Sequence, residues 1–294
     1  MYFSSLADLA QEAMDKKTAI SDIVLEREAF ESGRSAAEIV KQMEISWDVM
    51  VKAMEKGLTE DIRSKSGLTG GDGKKLRPAG KENKFAAGIQ MIDAVARAIA
   101  VAEINAAMGK IVAAPTAGSC GILPAVLYSI ALNNKKEKEK IVKALFTAAG
   151  VGAVIEAKAF ISGAAGGCQA EVGSAAAMAA VAGVELIGGT PYEGINAGAI
   201  ALKNMLGLVC DPVAGLVEVP CIKRNAIGTA NALVAIDMAL AGIESVIPLD
   251  DVILAMREVG LSIPISLKET AQGGLANTPC ARKLELEMNL GAFD

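Results

Sequence analysis

GGCQAEVG at Gly166–Gly173 and CDPVAGLVEVPCIKRN at Cys210–Asn225, with a helical interval between them, are the segments around which this chain is organised. Three of its five cysteines, Cys168, Cys210 and Cys221, fall here, where glycine and proline let the backbone turn a sulfur toward a shared point. Within the interval, Ala170–Leu186 repeats Ala and Gly, side chains small enough for helix axes to approach closely.

Composition extends that reading to the whole chain of 294 residues, in which hydrophobic residues make up 52% and aromatics 3%. A core of that kind is built from Ala, Val, Ile, Leu and Met, which suits helices touching through small side chains. The expected fold is all-α: one large helical domain with buried Ala/Gly-rich helices and Gly/Pro loops. Boundaries are expected at 1–60 for an N-terminal helical arm, 61–280 for the main domain and 281–294 for a tail.

A net charge of −5 and a pI near 5.1 leave no basic stripe for nucleic acid. Mean hydropathy is +0.38, yet Glu156 and Lys158 interrupt Ala144–Phe160 and Glu185 ends the run from Val172. These runs read as buried helices rather than membrane spans. The start, MYFSSLADLAQEAMDKK, shows no secretory pattern, and an odd number of cysteines suggests reduced thiols in a cytoplasmic protein. Histidine is absent. That excludes a Ser-His-Asp triad, a His-bearing zinc site and any imidazole acid or base from this polypeptide.

Periodicity predicts helices over Ser5–Lys16, Ala19–Phe30 and Ala36–Lys56, the last carrying the single tryptophan, Trp47, read as a core or interface residue. Further helices are expected at Lys84–Met108, Glu137–Ala149, Val151–Ile161, Ala170–Leu186, Asn225–Ala241 and Leu249–Val259. Another is expected at Tyr192–Leu206, with Thr190 as cap and Pro191 at its first position.

Two loops are candidates for holding an anion. SKSGLTGGDGKKLRP, Ser64–Pro78, is broken by four glycines and does not match a P-loop; a carboxylate cradle and a surface hairpin both fit it. In KIVAAPTAGSCGILPAVL, Lys110–Leu127, the turn Thr116, Ala117, Gly118 and Ser119 lies just before a helix start, where free backbone N–H groups face a carboxylate. The other reading is a tight connection between buried helices.

The cysteine spacings match no zinc ribbon, thioredoxin pair or ferredoxin run, and a buried cysteine is commonly only a small hydrophobe. Here, however, each sulfur sits at a helix boundary, among Gln169, Glu171, Asp211 and Arg224, polar groups that an inert core would not choose. Three thiolates suit a 4Fe-4S cluster that keeps one iron open as a Lewis acid for a substrate hydroxyl, the chemistry of a dehydratase.

SGLTGGDGKK, APTAGSCGILPAVL, SGAAGGCQAEVG, MLGLVCDPVAGLVEVPCIKRNAI and ETAQGGLANTPC together resemble the iron–sulfur L-serine dehydratases, in particular the alpha chain of the two-chain type. The resemblance covers most of Ser64–Cys280. It implies a lyase of serine catabolism and gluconeogenesis that converts L-serine to pyruvate and ammonia, with Cys168, Cys210 and Cys221 as cluster ligands. It also implies a heterodimer whose beta chain bears a histidine that this chain lacks. In single-polypeptide relatives a C-terminal cysteine after a GGLA motif caps the open iron. Cys280 follows GGLA as a candidate capping ligand, although Ala281–Asp294 extend beyond it. Ser66, Gly67, Thr69 and Gly70 join the Thr116–Ser119 turn as the expected carboxylate site, Lys74, Thr116 and Ser119 are the catalytic candidates, and Cys120 is expected beside the substrate.

Three rivals frame these expectations. A pyridoxal phosphate dehydratase could use Lys74, Lys75, Lys110 or Lys158 as its Schiff base. A related iron–sulfur lyase such as a cysteine desulfidase would present a similar site. A metal-binding helical scaffold would use the cysteines without catalysis.

Overall fold

The computed structural model describes residues 3–77 and 85–291. Among them the chain forms thirteen α-helices and no β-strand, apart from one isolated bridge between Cys210 and Lys268, so the architecture is all-α as expected. Its centre is α9 (Ser174–Ile187), buried along nearly its whole length and surrounded by α6 (Ile122–Asn134), α7 (Lys138–Lys158), α10 (Pro191–Lys203) and α11 (Cys221–Leu240). Small residues set the spacing. A methyl group added to Gly198 of α10 would stand 2.7 Å from a Val181 methyl and 2.8 Å from Leu249 of α12 (Leu249–Ser262), so only glycine admits both neighbours. Gln169–Ile187, taken as one 19-residue run, is long and apolar enough to cross a membrane, and 83% of its most apolar window is buried inside the protein.

The first three helices, α1 (Leu6–Lys16), α2 (Ile20–Ser32) and α3 (Ala36–Thr59), lie on the main body. Leu6, Leu9, Val24, Trp47 and Met50 join the same core as α9. Asp250 at the start of α12 accepts the first N–H groups of α1, from Leu6 and Ala7, and pairs with Lys158 at 2.7 Å. Sequence-level capping is realised at Ser35, which bonds Glu38 reciprocally, and at Thr190, which does so with Glu193 behind Pro191.

Two helices depart from their expected bounds. Glu137–Ala149 and Val151–Ile161 are one helix, α7, running unbroken through Gly150. A glycine in a helix interior loses about 1 kcal/mol of propensity. Here its bare Cα makes room for α2, because a methyl there would stand 2.6 Å from Val24. The expected Asn225–Ala241 helix begins four residues earlier, at Cys221, so a candidate ligand occupies a helix N-terminus. The helix expected from Lys84 is α5 (Ile89–Ala106), Lys84 and Pro78 being outside the described residues, as is the end of the 281–294 tail. Two short helices complete the site's frame, α4 (Asp72–Leu76) and α8 (Gly163–Gly166), and α13 (Pro279–Gly291) closes the described chain.

Candidate active site

The three cysteines of the organising segments come from three separate loops and are all buried. Cys168 precedes one π-helical turn, Gln169–Gly173, that feeds α9; Cys210 ends the link from α10; Cys221 opens α11. The Cys168 and Cys210 thiols shift each other's ionisation more strongly than any other group does. Cys210 holds the Cys168 thiol below its ordinary range, helped by the Arg224 guanidinium, and Cys168 together with burial pushes Cys210 up. Burial, with the charge of Cys168 adding to it, pushes Cys221 up to about 12. The pattern is that of sulfurs competing for negative charge in one low-dielectric space. Arg224 is the cation of that space: it donates to the Val209 carbonyl and to Asp211, each at 2.8 Å.

Gln169 fixes the loops relative to each other. Fully buried, it donates to the carbonyls of Gly166 (2.9 Å) and Met256 (3.0 Å) and accepts from the Gly207 N–H (2.9 Å), tying the Cys168 turn to α12 and to the approach to Cys210. Cys210 is held in turn by backbone bonds of 2.8 Å with Leu267 and Glu269. Gln169→Leu strands two carbonyls and one N–H without water, so it should destabilise the fold by about 3 kcal/mol. Urea unfolding of the two proteins measures this.

A second set of bonds brings the two candidate anion loops to the same place. The Thr116 hydroxyl donates to Glu171 at 2.7 Å and lies 3.2 Å from the Ser119 hydroxyl. Asn225, one turn into α11, accepts from the Gly121 N–H (2.9 Å) and donates to the Gly118 carbonyl (2.8 Å), clamping the Thr116–Gly121 turn to the Cys221 helix. From the other side Ser66 and Thr69 donate to buried Glu218 at 2.7 and 2.9 Å, and Glu218 lies three residues before Cys221. Burial raises the affinity of the Glu171 carboxyl for its proton, partly offset by Thr116. Gly163 of α8 marks the crossing: a methyl there would be 2.8 Å from both the Cys210 sulfur and Glu171 Oε2.

The expected residues therefore separate into groups. Cys210 and the Thr116, Ala117, Gly118 and Ser119 turn gather around Glu171, Cys168 acts on Cys210, and Cys221 opens the helix that clamps that turn. Ser66, Gly67, Thr69 and Gly70 form a neighbouring loop, whose Ser66 and Thr69 hydroxyls are committed to Glu218. Lys74 does not join them: its ammonium pairs with Asp61 at 2.7 Å on the surface. The backbone N–H groups of Asp72 and Gly73, which the glycine-rich reading offered to an anion, are bound at 2.7 and 3.2 Å by the buried carboxylate of Glu103. Cys120 is fully buried, faces the Val101 carbonyl in a separate apolar cluster, and burial lifts its thiol to about 12. Cys280 is exposed at the start of α13. The segment before it is anchored to the ligand loop, because Asp211 accepts from the Leu275 N–H at 2.8 Å. Of the other lysines proposed for a Schiff base, Lys75 pairs with Asp72, Lys158 with Asp250, and Lys110 is exposed.

Glu218, Asn225 and Glu103 carry no local signal that would have marked them. Among the described residues, no three His, Cys, Asp or Glu side chains surround a single point as the ligands of one metal ion do. A multi-metal cluster is larger and spaces its ligands further apart. Three buried sulfurs on separate loops, two of them strongly shifting each other's ionisation, with one guanidinium nearby to balance thiolate charge, are a donor set that fits such a group.

Comparison with known proteins gives a consistent result. A family model described as serine dehydratase alpha chain matches residues 15–276. The chain is 50% identical, over 99% of its length, to a protein of Bacillus subtilis named probable L-serine dehydratase, alpha chain, of which it covers 97%. It is 44% identical to the L-serine dehydratase alpha chain of Peptoniphilus asaccharolyticus, over 90% of this chain and 91% of that one. A longer relative, the L-serine dehydratase of Streptomyces coelicolor, is 39% identical over 92% of this chain, which spans 59% of it.

Proposed function

The chain belongs to the serine dehydratase alpha chain family and is a lyase subunit acting on L-serine; from that premise we propose that Cys168, Cys210 and Cys221 hold a 4Fe-4S cluster at its active site. The observation that supports the reading is that the Cys210 sulfur and Glu171 stand together at Gly163 beside the Thr116 turn, while the charge of Cys168 acts on both Cys210 and the buried Cys221. When bound, the cluster supplies a Lewis acid that makes the serine hydroxyl a better leaving group.

This chain's own residues prepare the rest. Arg224, fixed by Asp211, balances the negative charge of the sulfurs. The turn at Thr116–Ser119, clamped by Asn225, offers backbone N–H groups to the serine carboxylate. Glu218 holds the Ser66–Thr69 loop as a wall beside it. Removal of the Cα proton and loss of hydroxide leave aminoacrylate, which becomes the imine and hydrolyses to pyruvate and ammonia. With no histidine in the sequence, we assign the proton-abstracting base to a histidine of a beta chain, the second chain that the alpha-chain name implies. Five free cysteines support a reducing, cytoplasmic setting.

Anaerobic co-expression with a beta chain tests this reading. The complex should form pyruvate from L-serine in proportion to its iron, and the alpha chain alone should be inactive or nearly so. A sharp pyridoxal band, or turnover unaffected by iron removal, would contradict it.

A further inference from the structure

Glu171 is a carboxylate at the site that makes no ion pair of its own, feeling the Arg224 charge only from a distance. Its Oε1 accepts only the Thr116 hydroxyl, at 2.7 Å, and no Lys or Arg among the described residues forms an ion pair with it; Arg224 is committed to Asp211 and Val209. Its Oε2 faces the space in front of Gly163 and the Cys210 sulfur, both within 2.8 Å of where a Gly163 methyl would stand, and Gly118 flanks Oε1, a methyl there coming within 3.1 Å. Two residues without side chains thus pack directly against the oxygens of this carboxylate. Partial burial of an uncompensated charge is unfavourable, which marks a place that a cationic ligand group would complete.

L-Serine brings one cation, its α-ammonium. Of the four carboxylates near the cysteines, Asp211 is paired with Arg224, Glu218 is buried under the Ser66 and Thr69 hydroxyls and Glu269 is exposed at the rim, which leaves Glu171. Resting on the serine-site reading above, we propose that Glu171 binds the α-ammonium group of the substrate, with the Thr116 hydroxyl orienting its carboxylate, and so selects amino acids over hydroxy acids.

The test uses Glu171→Gln, which keeps the size of the side chain and an acceptor for Thr116, and Glu171→Asp, which keeps the charge, in the anaerobically purified two-chain enzyme. Glu171→Gln should raise KM for L-serine about thirtyfold or more. It should lower kcat far less and leave iron and sulfide content at the wild-type level. L-Glycerate, the same skeleton with hydroxyl in place of ammonium, should bind the Gln variant as well as or better than wild type, by inhibition and by calorimetry. Glu171→Asp should recover part of the lost affinity for serine.

Collapse of kcat at unchanged KM, the signature of a proton-transferring group, would overturn the proposal. So would equal losses for serine and glycerate, or loss of iron from Glu171→Gln. Wild-type enzyme that fails to turn over serine at all would instead overturn the parent reading, so the two failures are distinguishable.

Discussion

Cys210→Ser should reduce serine turnover by more than about a thousandfold while leaving the helical fold intact. The argument for loss rests on position. Cys210 is the sulfur whose ionisation Cys168 shifts most, stands within reach of Glu171 across Gly163, and lies one residue before the Asp211 that holds Arg224. A hydroxyl at that point is a harder, less readily ionised donor than a thiol and a poor ligand for an iron–sulfur centre. The argument for retention is equally specific. The loop at Cys210 is fixed by backbone bonds to Leu267 and Glu269, by Gln169 and by the Asp211–Arg224 pair, none of which uses the sulfur. A melting temperature within a few degrees of wild type, with turnover gone, is the expected outcome. Loss of the cooperative transition together with activity would assign the sulfur a structural role instead.

Gly163→Ala should lower activity by about a hundredfold or more while changing stability by no more than about 2 kcal/mol. Gly163 has an ordinary backbone conformation, outside the left-handed region, so alanine adds no backbone strain. What it adds is a methyl at 2.8 Å from two groups at once, the Cys210 sulfur and Glu171 Oε2, forcing a shift at the edge of the proposed substrate site. Neither neighbour is free to retreat: Cys210 is pinned by its backbone and Glu171 by Thr116. Steady-state kinetics and urea unfolding on the same preparation check the two halves of this expectation. A variant with wild-type kinetics would place the reacting groups elsewhere.

How far these conclusions were legible in the sequence varies by element, for physical reasons. Helices with a strong period and local caps were plain: Thr190 and Pro191 announce α10, and the Ala-rich run announces α9. Gly150 misled because its role is to admit Val24 of α2, a tertiary reason that no window around α7 contains. The cysteine loops stood out because thiols beside Gln, Glu, Asp and Arg are out of keeping with an inert core. The partners of those loops did not stand out. Glu218 reaches Ser66 and Thr69 across about 150 residues of sequence, and Asn225 reaches Gly118 across 107. Lys74 of SGLTGGDGKK read as a catalytic candidate because charge is visible in a sequence and direction is not. In the folded chain Lys74 turns outward to Asp61, and Glu103 occupies the N–H groups that an anion would have used.

The central claim is that three particular sulfurs share one inorganic group, and iron and acid-labile sulfide content of the anaerobically purified alpha chain tests it most directly. Measured across single serine substitutions of all five cysteines, iron and sulfide should fall together in Cys168→Ser, Cys210→Ser and Cys221→Ser. They should stay at the wild-type level in Cys120→Ser and Cys280→Ser. Wild-type iron content in any of the first three variants, or no sulfide in the wild-type chain, would contradict the claim.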